Sequence, residues 1–135
     1  MVTNRETFNK AERLCSKKEI EALFENGKSF YSFPFVVVWA FANSSIPFPA
    51  QVAFSVSKKG FRLAVTRNLI KRRMREAWRK NKIQLYDFLK SSDKKIVFTI
   101  IYRESSVIDY FTIETSIKEM INKLQIVVCE STVKC

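Results

Sequence analysis

The spacing of apolar and polar residues predicts a sheet of at least three strands. Residues Phe35 to Phe41 are β-branched or aromatic almost throughout, which is typical of a strand covered on both faces. Residues 51–57 alternate instead, with Val52, Phe54 and Val56 on one side and small or polar residues on the other. We expect the first strand near the centre of the sheet, and the second with one face free to approach a ligand.

Apolar residues also recur at helical spacing on either side of these strands. Ser16 and Glu19 form a capping box, which predicts a short helix that ends at Gly27. A longer helix is predicted from Arg67 to Lys82. Ile20, Leu23 and Phe24 share one face of the short helix, which could either pack in the core or leave part of its aromatic surface exposed. The residues expected to be buried in the long helix are Ile70, Met74, Ala77 and Trp78.

The C-terminal part of the chain predicts one more strand and one more helix. The strand spans Lys95 to Tyr102, and the helix begins at Asp109 or Thr112, since either side chain can cap it. A frayed tail is expected from Cys129 onward, and residues 60–64 are a candidate for a further short strand before the long helix. The apolar stripe of the last helix consists of Ile113, Ile117, Met120, Ile121 and Leu124.

This order of elements, α-β-β-(β)-α-β-α, predicts an α+β protein in which helices pack on one sheet as a two-layer sandwich. General rules favour a right-handed crossover around the long helix. The length of 135 residues fits a single domain, with a compact core from about residue 13 to residue 124 and frayed tails. A composition of 47% hydrophobic residues indicates a globular fold rather than disorder.

Composition also limits the chemistry that the chain can perform. The N-terminus lacks a signal-peptide pattern, and no apolar run approaches the roughly 18 residues that span a bilayer, so a cytoplasmic location without a membrane partner is expected. The chain has no histidine, and Cys15, Cys129 and Cys135 lack the spacing of a metal site. Because its carboxylates are scattered, we expect neither catalytic residues nor metal ligands in this chain.

The positive charge is concentrated in one segment. Residues Ser57 to Lys82 contain eleven Lys or Arg and one acid, Glu76, and so account for +10 of the net charge of +11. On the long helix the basic residues lie opposite the apolar stripe, and acidic partners four residues away are nearly absent. This favours a nucleic-acid-binding face over a merely solvated one. The predicted binding residues are Lys58, Lys59, Arg62, Arg67, Asn68, Lys71, Arg72, Arg75 and Arg79.

The same segment carries a recognisable motif. SVSKK at residues 55–59, Ala-Val at 64–65 and RNLIKRRMREA at 67–77 together resemble the signature of the bacterial ribonuclease P protein subunit. Residues 13–30 are similar to the first helix of that family. The chain departs from the family pattern at Leu69, where an arginine is usual; Arg73 is the nearby guanidinium that could compensate.

The resemblance implies a fold, a function and a set of partners. The fold would be the ribosomal protein S5 domain 2-like sandwich, with a left-handed crossover around the basic helix. The chain would assist the catalytic RNA of ribonuclease P in the endonucleolytic removal of 5′ leaders from precursor tRNA. The RNA subunit would carry the catalytic centre and bind most of the Mg²⁺. The implied partners are therefore the catalytic RNA and precursor tRNA, and no DNA partner is expected.

By the same resemblance, a cleft between the first helix and the sheet would bind the single-stranded leader. Aromatic and apolar surface suits unstacked bases, and small polar side chains allow a close approach of the RNA backbone. Phe24, Val36 and Val38 could equally be ordinary core residues, and the family often has a tyrosine near Val38. The cleft residues are Ile20, Phe24, Val36, Val38, Ser55 and Ser57.

Two other classes of function stay open at the level of sequence. A ribosomal-type RNA-binding or assembly protein would bind RNA without any role in leader cleavage; the spacing of the SKK and RN motifs favours ribonuclease P over that class. A stand-alone nuclease or DNA-binding protein is the other alternative. The missing histidine and scattered carboxylates argue against a nuclease, and a DNA reader should prefer duplex DNA in competition with folded RNA.

Overall fold

The computed structural model describes residues 12–14, 17–42 and 48–133, and within them three helices and four strands. The Ser16 half of the predicted capping box lies outside the described residues. The elements in chain order are α1 (Lys17–Asn26), β1 (Lys28–Ser32), β2 (Phe35–Phe41), β3 (Ala50–Val56), α2 (Ala64–Ser92), β4 (Ile96–Tyr102) and α3 (Tyr110–Val133).

The four strands form one mixed sheet in the order β1-β2-β4-β3. β1 pairs with β2 and β2 with β4 in antiparallel orientation, whereas β3 runs parallel to β4. The central position of β2 and β4 explains why both are apolar on each face. α2 connects the parallel neighbours β3 and β4. That this crossover connection is left-handed stays a prediction from the resemblance.

The main hydrophobic core lies between the sheet and the pair α2 and α3. Val37 and Trp39 of β2 and Phe98 of β4 are buried against these helices. The ring of Trp78 on α2 stands edge-on to Phe98, with 5.4 Å between ring centroids. The predicted α+β class and its packing of helices on one sheet are thus confirmed. α1 lies on the opposite face, where Leu23 packs with Leu14 and Val38 in a smaller cluster.

The additional strand is not where the sequence placed it. Gly60 ends a turn, residues 61–63 have no regular structure and α2 begins at Ala64. The guanidinium of Arg67 donates hydrogen bonds to the carbonyls of Phe61 (2.7 Å) and Arg62 (3.0 Å), so these carbonyls are bonded to a side chain and not to a strand. The fourth strand is Lys28–Ser32 at the sheet edge. Its single inward-facing apolar residue, Phe30, gives too weak a periodic signal to predict a strand.

Both long helices exceed their predicted bounds. α2 starts at Ala64 and continues ten residues past Lys82, since Leu85, Tyr86 and Leu89 extend its buried stripe to Ser92. α3 starts after Asp109, whose carboxylate accepts hydrogen bonds from the backbone N–H (3.3 Å) and the hydroxyl (2.7 Å) of Thr112.

The predicted C-terminal limit of the compact core was too narrow. Glu12, next to the expected start at about residue 13, is buried. At the other end, α3 continues as a helix to Val133, and Val128 is fully buried. The frayed tail expected from Cys129 is therefore wrong as far as residue 133. The continuation of the apolar stripe through Val128 is the physical reason.

The exit from α1 depends on a close approach between helix and sheet. The N–H of Gly27 donates to the carbonyl of Leu23 at 2.7 Å, and a Cβ at Gly27 would lie 2.5 Å from that oxygen and 2.9 Å from Val38 Cγ1. We therefore expect Gly27→Ala to lower the free energy of unfolding by about 1–3 kcal/mol, because α1 must shift away from β2. Urea unfolding of both proteins measures the difference.

Gly60 provides the matched control for this prediction. A Cβ at Gly60 would meet its nearest neighbour, the carbonyl oxygen of Glu104, at 3.5 Å, which is an ordinary contact. Gly60→Ala should therefore change stability by less than about 0.5 kcal/mol. Equal losses at Gly27 and Gly60 would contradict the packing described for α1.

Candidate RNA-binding surfaces

The first half of α2 separates an apolar face from a basic face. Ile70, Met74, Ala77 and Trp78 are all fully buried, which confirms the predicted stripe. On the opposite side Asn68, Arg72 and Arg75 are exposed, and Lys71 and Arg79 are half-buried. The helix thus holds these five side chains on one continuous arc that faces solvent.

The charge on this arc is uneven. Arg79 donates to both carboxylate oxygens of Glu76, at 3.1 and 2.7 Å, and Lys80 Nζ lies 3.8 Å from Glu76 Oε2. The hydrogen bond from Arg79 lowers the pKa of Glu76, so this carboxylate stays ionised and offsets part of the local charge. Lys71, Arg72 and Arg75 have no ion pair among the described residues. The strongest positive field therefore lies along the first half of the helix.

Arg67 has a structural role in addition to its charge. Its two hydrogen bonds to the carbonyls of Phe61 and Arg62 fix the segment that joins β3 to α2. That segment carries the exposed Lys58, Lys59 and Arg62. Arg67 therefore fixes the backbone at Arg62 directly before α2, and Lys58 and Lys59 lie earlier in the same connecting segment.

Arg73 does not stand in for the arginine that is missing at position 69. Its Nη1 donates to the carbonyl of Ile108 at 2.8 Å and so ties α2 to the segment between β4 and α3. Leu69 itself is half-buried. The guanidinium that the family motif would place at this position is not replaced by Arg73.

Lys82 belongs to the core and not to the basic surface. Its side chain is only 2% exposed and forms an ion pair with Glu12, whose Oε1 also accepts a hydrogen bond from the hydroxyl of Tyr86 at 2.6 Å. Burial, together with the adjacent Glu12 carboxylate, raises the pKa of Tyr86. The burial of Lys82 could have been predicted from the sequence, because residues four apart share one face of a helix and Lys82 follows the buried Trp78 by four.

The predicted cleft residues lie on the α1 side of the sheet, but they do not share one environment. Val38 is 7% exposed beneath Leu23, so it is a core residue, whereas Phe24 on α1 is 53% exposed and is not. Ile20, Val36 and Ser55 are half-buried. Ser57 is exposed just beyond β3, and its hydroxyl accepts a hydrogen bond from the N–H of Lys59 at 3.2 Å.

The described residues contain no group of three His, Cys, Asp or Glu side chains that could hold a metal ion. Within the same parts of the chain, no helix is long and apolar enough to cross a membrane. The Lys and Arg side chains of the surface can bind a polyanion, and the other side of the sheet offers apolar contacts.

A mixed α+β fold with a basic helix on one side of its sheet and a partly covered apolar face on the other is typical of an RNA-binding protein. A model of the Ribonuclease P family matches residues 8–125 of the chain. The chain therefore belongs to the ribonuclease P protein family, whose members process precursor tRNA together with an RNA subunit.

Individual relatives agree with this assignment. The chain is 35% identical over 127 residues to the ribonuclease P protein component of Porphyromonas gingivalis, covering 91% of both chains. It is 32% identical over 123 residues to that of Petrotoga mobilis, covering 89% of this chain and 97% of the other. The RNase P protein of Staphylococcus aureus superposes with a TM-score of 0.64 at 28% identity, over 85% of this chain and 95% of that one. The family assignment decides against the ribosomal-type alternative.

Proposed function

We propose that this chain assists a catalytic RNA in cutting 5′ leaders from precursor tRNA by binding both the catalytic RNA and the leader. The observation that supports this division is the placement of two different surfaces on opposite sides of one sheet. The basic arc belongs to α2 and the partly open apolar face lies beside α1. Two RNA segments could therefore contact the protein at the same time without overlap.

The basic arc would bind phosphates of the catalytic RNA. Asn68, Lys71, Arg72, Arg75 and Arg79 share the solvent-facing side of α2, and four of these five carry a positive charge. Each Lys or Arg that neutralises a phosphate releases condensed counterions, which makes the affinity strongly dependent on salt. Positive charge between two polyanions also lowers their mutual repulsion, and in this way the protein would reduce the Mg²⁺ concentration that the holoenzyme needs.

In this proposal Mg²⁺ is bound mainly by the RNA subunit, where it would activate water and stabilise the leaving oxygen. The described residues of the chain offer no carboxylate cluster that suits Mg²⁺. The contribution of this chain is to bind, orient and neutralise the phosphates of the two RNAs. No proton transfer is assigned to any of its side chains.

The partly open face beside α1 would hold the leader. Phe24 presents a half-exposed ring on α1 and Val36 is half-buried on β2, while Ser55 near the end of β3 and Ser57 just beyond it provide small hydroxyl groups. Stacking on an aromatic ring is tolerant of sequence, because every base has a π-face. Such a surface suits leaders of varied sequence.

Phe24→Ala tests the assignment of the leader surface. Loss of one stacking ring should lower the preference of the holoenzyme for precursor over mature tRNA by roughly tenfold, since one stacked base contributes about 1–3 kcal/mol. Assembly with the RNA subunit should not change, because Phe24 lies on the opposite side of the sheet from α2. Equilibrium binding of both tRNAs to the reconstituted holoenzyme measures the ratio.

Phe41→Ala serves as the matched control for Phe24→Ala. Phe41 is 45% exposed, comparable with Phe24, but its ring contacts Trp39 on the side of the sheet that carries α2 and α3. The Phe41→Ala substitution should leave the preference of the holoenzyme for precursor over mature tRNA unchanged. If Phe24→Ala leaves the ratio of precursor to mature tRNA affinity unchanged, or if both variants lower that ratio equally, Phe24 does not contact the leader.

A further inference from the structure

The strand register places four side chains in a row across the whole sheet. Tyr31 of β1 is paired with Val36 of β2, Val36 with Ile101 of β4, and Ile101 with Ser55 of β3. Directly paired residues project to the same face of a sheet. These four residues are called the open row below.

The open row lies on the α1 side of the sheet, at the margin of what α1 covers. The neighbouring row contains Val38, which is buried under Leu23 of α1. In the open row, Val36, Ile101 and Ser55 are half-buried, and Tyr31 at the outer end is 52% exposed. An apolar floor two strands wide therefore ends in an aromatic ring that is accessible to solvent.

Positive charge borders this row. β3 continues past Ser55 into the exposed Lys58 and Lys59, and β4 continues past Ile101 into the exposed Arg103. At the other end, Lys123 Nζ donates to the backbone carbonyl of Tyr31 at 2.8 Å. Glu104 follows Arg103 at this border, and the exposed acids of α1 on the same side of the sheet are Glu19, Glu21 and Glu25.

We propose that Tyr31 is a base-stacking and specificity-determining residue, and that a single-stranded RNA segment of the precursor lies along the open row from Tyr31 toward Ser55. This inference rests on the proposed leader-binding function. One base stacks on the exposed ring of Tyr31, the next base contacts the aliphatic side chains of Val36 and Ile101, and the bordering cations contact the phosphates.

The geometry favours RNA over a protein partner. An apolar peptide would need the row to be dry and wide, whereas this floor is two residues across and has cations on both ends. RNA carries a negative phosphate at every nucleotide, so its charge is complementary to the cations at the two ends of the row. The backbone of Tyr31 is also fixed by pairing with β2 and by Lys123, so that little backbone entropy is lost when RNA binds.

The test compares Tyr31→Ala and Tyr31→Phe in the reconstituted holoenzyme. Affinity is measured for a precursor tRNA with a leader and for the same tRNA without one. Tyr31→Ala should lower the precursor preference by roughly tenfold, and Tyr31→Phe should retain it because the ring is what stacks. Phe111→Ala is the control, since Phe111 is an exposed aromatic residue on α3, on the other side of the sheet.

The outcomes separate this inference from the function on which it rests. A wild-type holoenzyme that shows no preference for the leader would overturn both. A clear wild-type preference that Tyr31→Ala leaves intact would overturn the role of Tyr31 alone. Photo-crosslinking from a benzophenone side chain at position 31 gives a second readout. A crosslink to leader nucleotides supports the proposal, and a crosslink to a protein or only to the RNA subunit contradicts it.

Discussion

Replacing Arg72 and Arg75 together with alanine is expected to weaken binding of the RNA subunit by roughly 30-fold near 0.15 M salt, because two phosphate contacts are lost. Both side chains are exposed on the basic arc of α2 and have no ion pair among the described residues. Their charge is therefore available to RNA, unlike that of Arg79, which is shared with Glu76. The fold should be unaffected, since neither side chain is buried.

Salt dependence gives this prediction a second readout. The slope of log affinity against log salt should become shallower by about 1.8 in the double variant, at about 0.9 per phosphate contact. Lys90→Ala with Lys118→Ala is the control, because it removes the same charge from exposed positions at the far end of α2 and on α3. Equal effects of the two double variants would show that only net charge matters and would contradict a specific role for the α2 arc.

Lys82→Ala is expected to lower the free energy of unfolding by about 3–5 kcal/mol, which for a domain of this size is a large part of the total. The substitution leaves the Glu12 carboxylate buried without its cation. The hydroxyl of Tyr86 still donates a hydrogen bond to that carboxylate, but a neutral donor does not replace the lost positive charge. The same pair joins the segment before α1 to α2, so its loss also frees the N-terminal part of the fold.

Replacing both members of the ion pair with apolar residues separates the loss of the ion pair from a general loss of packing. Glu12→Leu combined with Lys82→Met should recover most of the stability lost in Lys82→Ala, because an apolar pair of similar size needs no compensating charge. Tyr86→Phe should cost less, about 1–2 kcal/mol, since it removes one hydrogen bond and keeps the ion pair. A loss below about 1 kcal/mol in Lys82→Ala, or reduced RNA affinity of the folded variant, would contradict the core assignment of Lys82.

Periodicity explains which parts of the fold were predictable. β2, β3 and β4 have strong apolar or alternating patterns, and the stripe of α2 from Ile70 to Trp78 repeats at helical spacing, so each was predicted within a few residues of its observed position. β1 was missed because this edge strand has only one apolar residue packed against the core, the partly buried Phe30, and takes its stability from pairing with β2. Pairing is a property of two segments and leaves little trace in either one alone.

The same distinction applies to the functional surface. The basic arc could be derived from the helical spacing of Arg72, Arg75 and their neighbours, since a single helix defines it. The pairing of Lys82 with Glu12, 70 residues away in sequence, could not, and neither could the row that begins at Tyr31. Each depends on tertiary packing or strand register. Val38 was placed in the leader cleft for the same reason, since the cover that Leu23 provides is visible only in the folded chain.

The central claim is that the chain assists RNA-based cleavage and does not cleave RNA itself. It is tested most directly by reconstitution with a bacterial ribonuclease P RNA at low Mg²⁺, following 5′ cleavage of a precursor tRNA. Protein alone and RNA alone are the controls. We expect cleavage only when both components are present. Cleavage by the protein alone, or tight binding to the RNA without any stimulation of cleavage, would contradict the account.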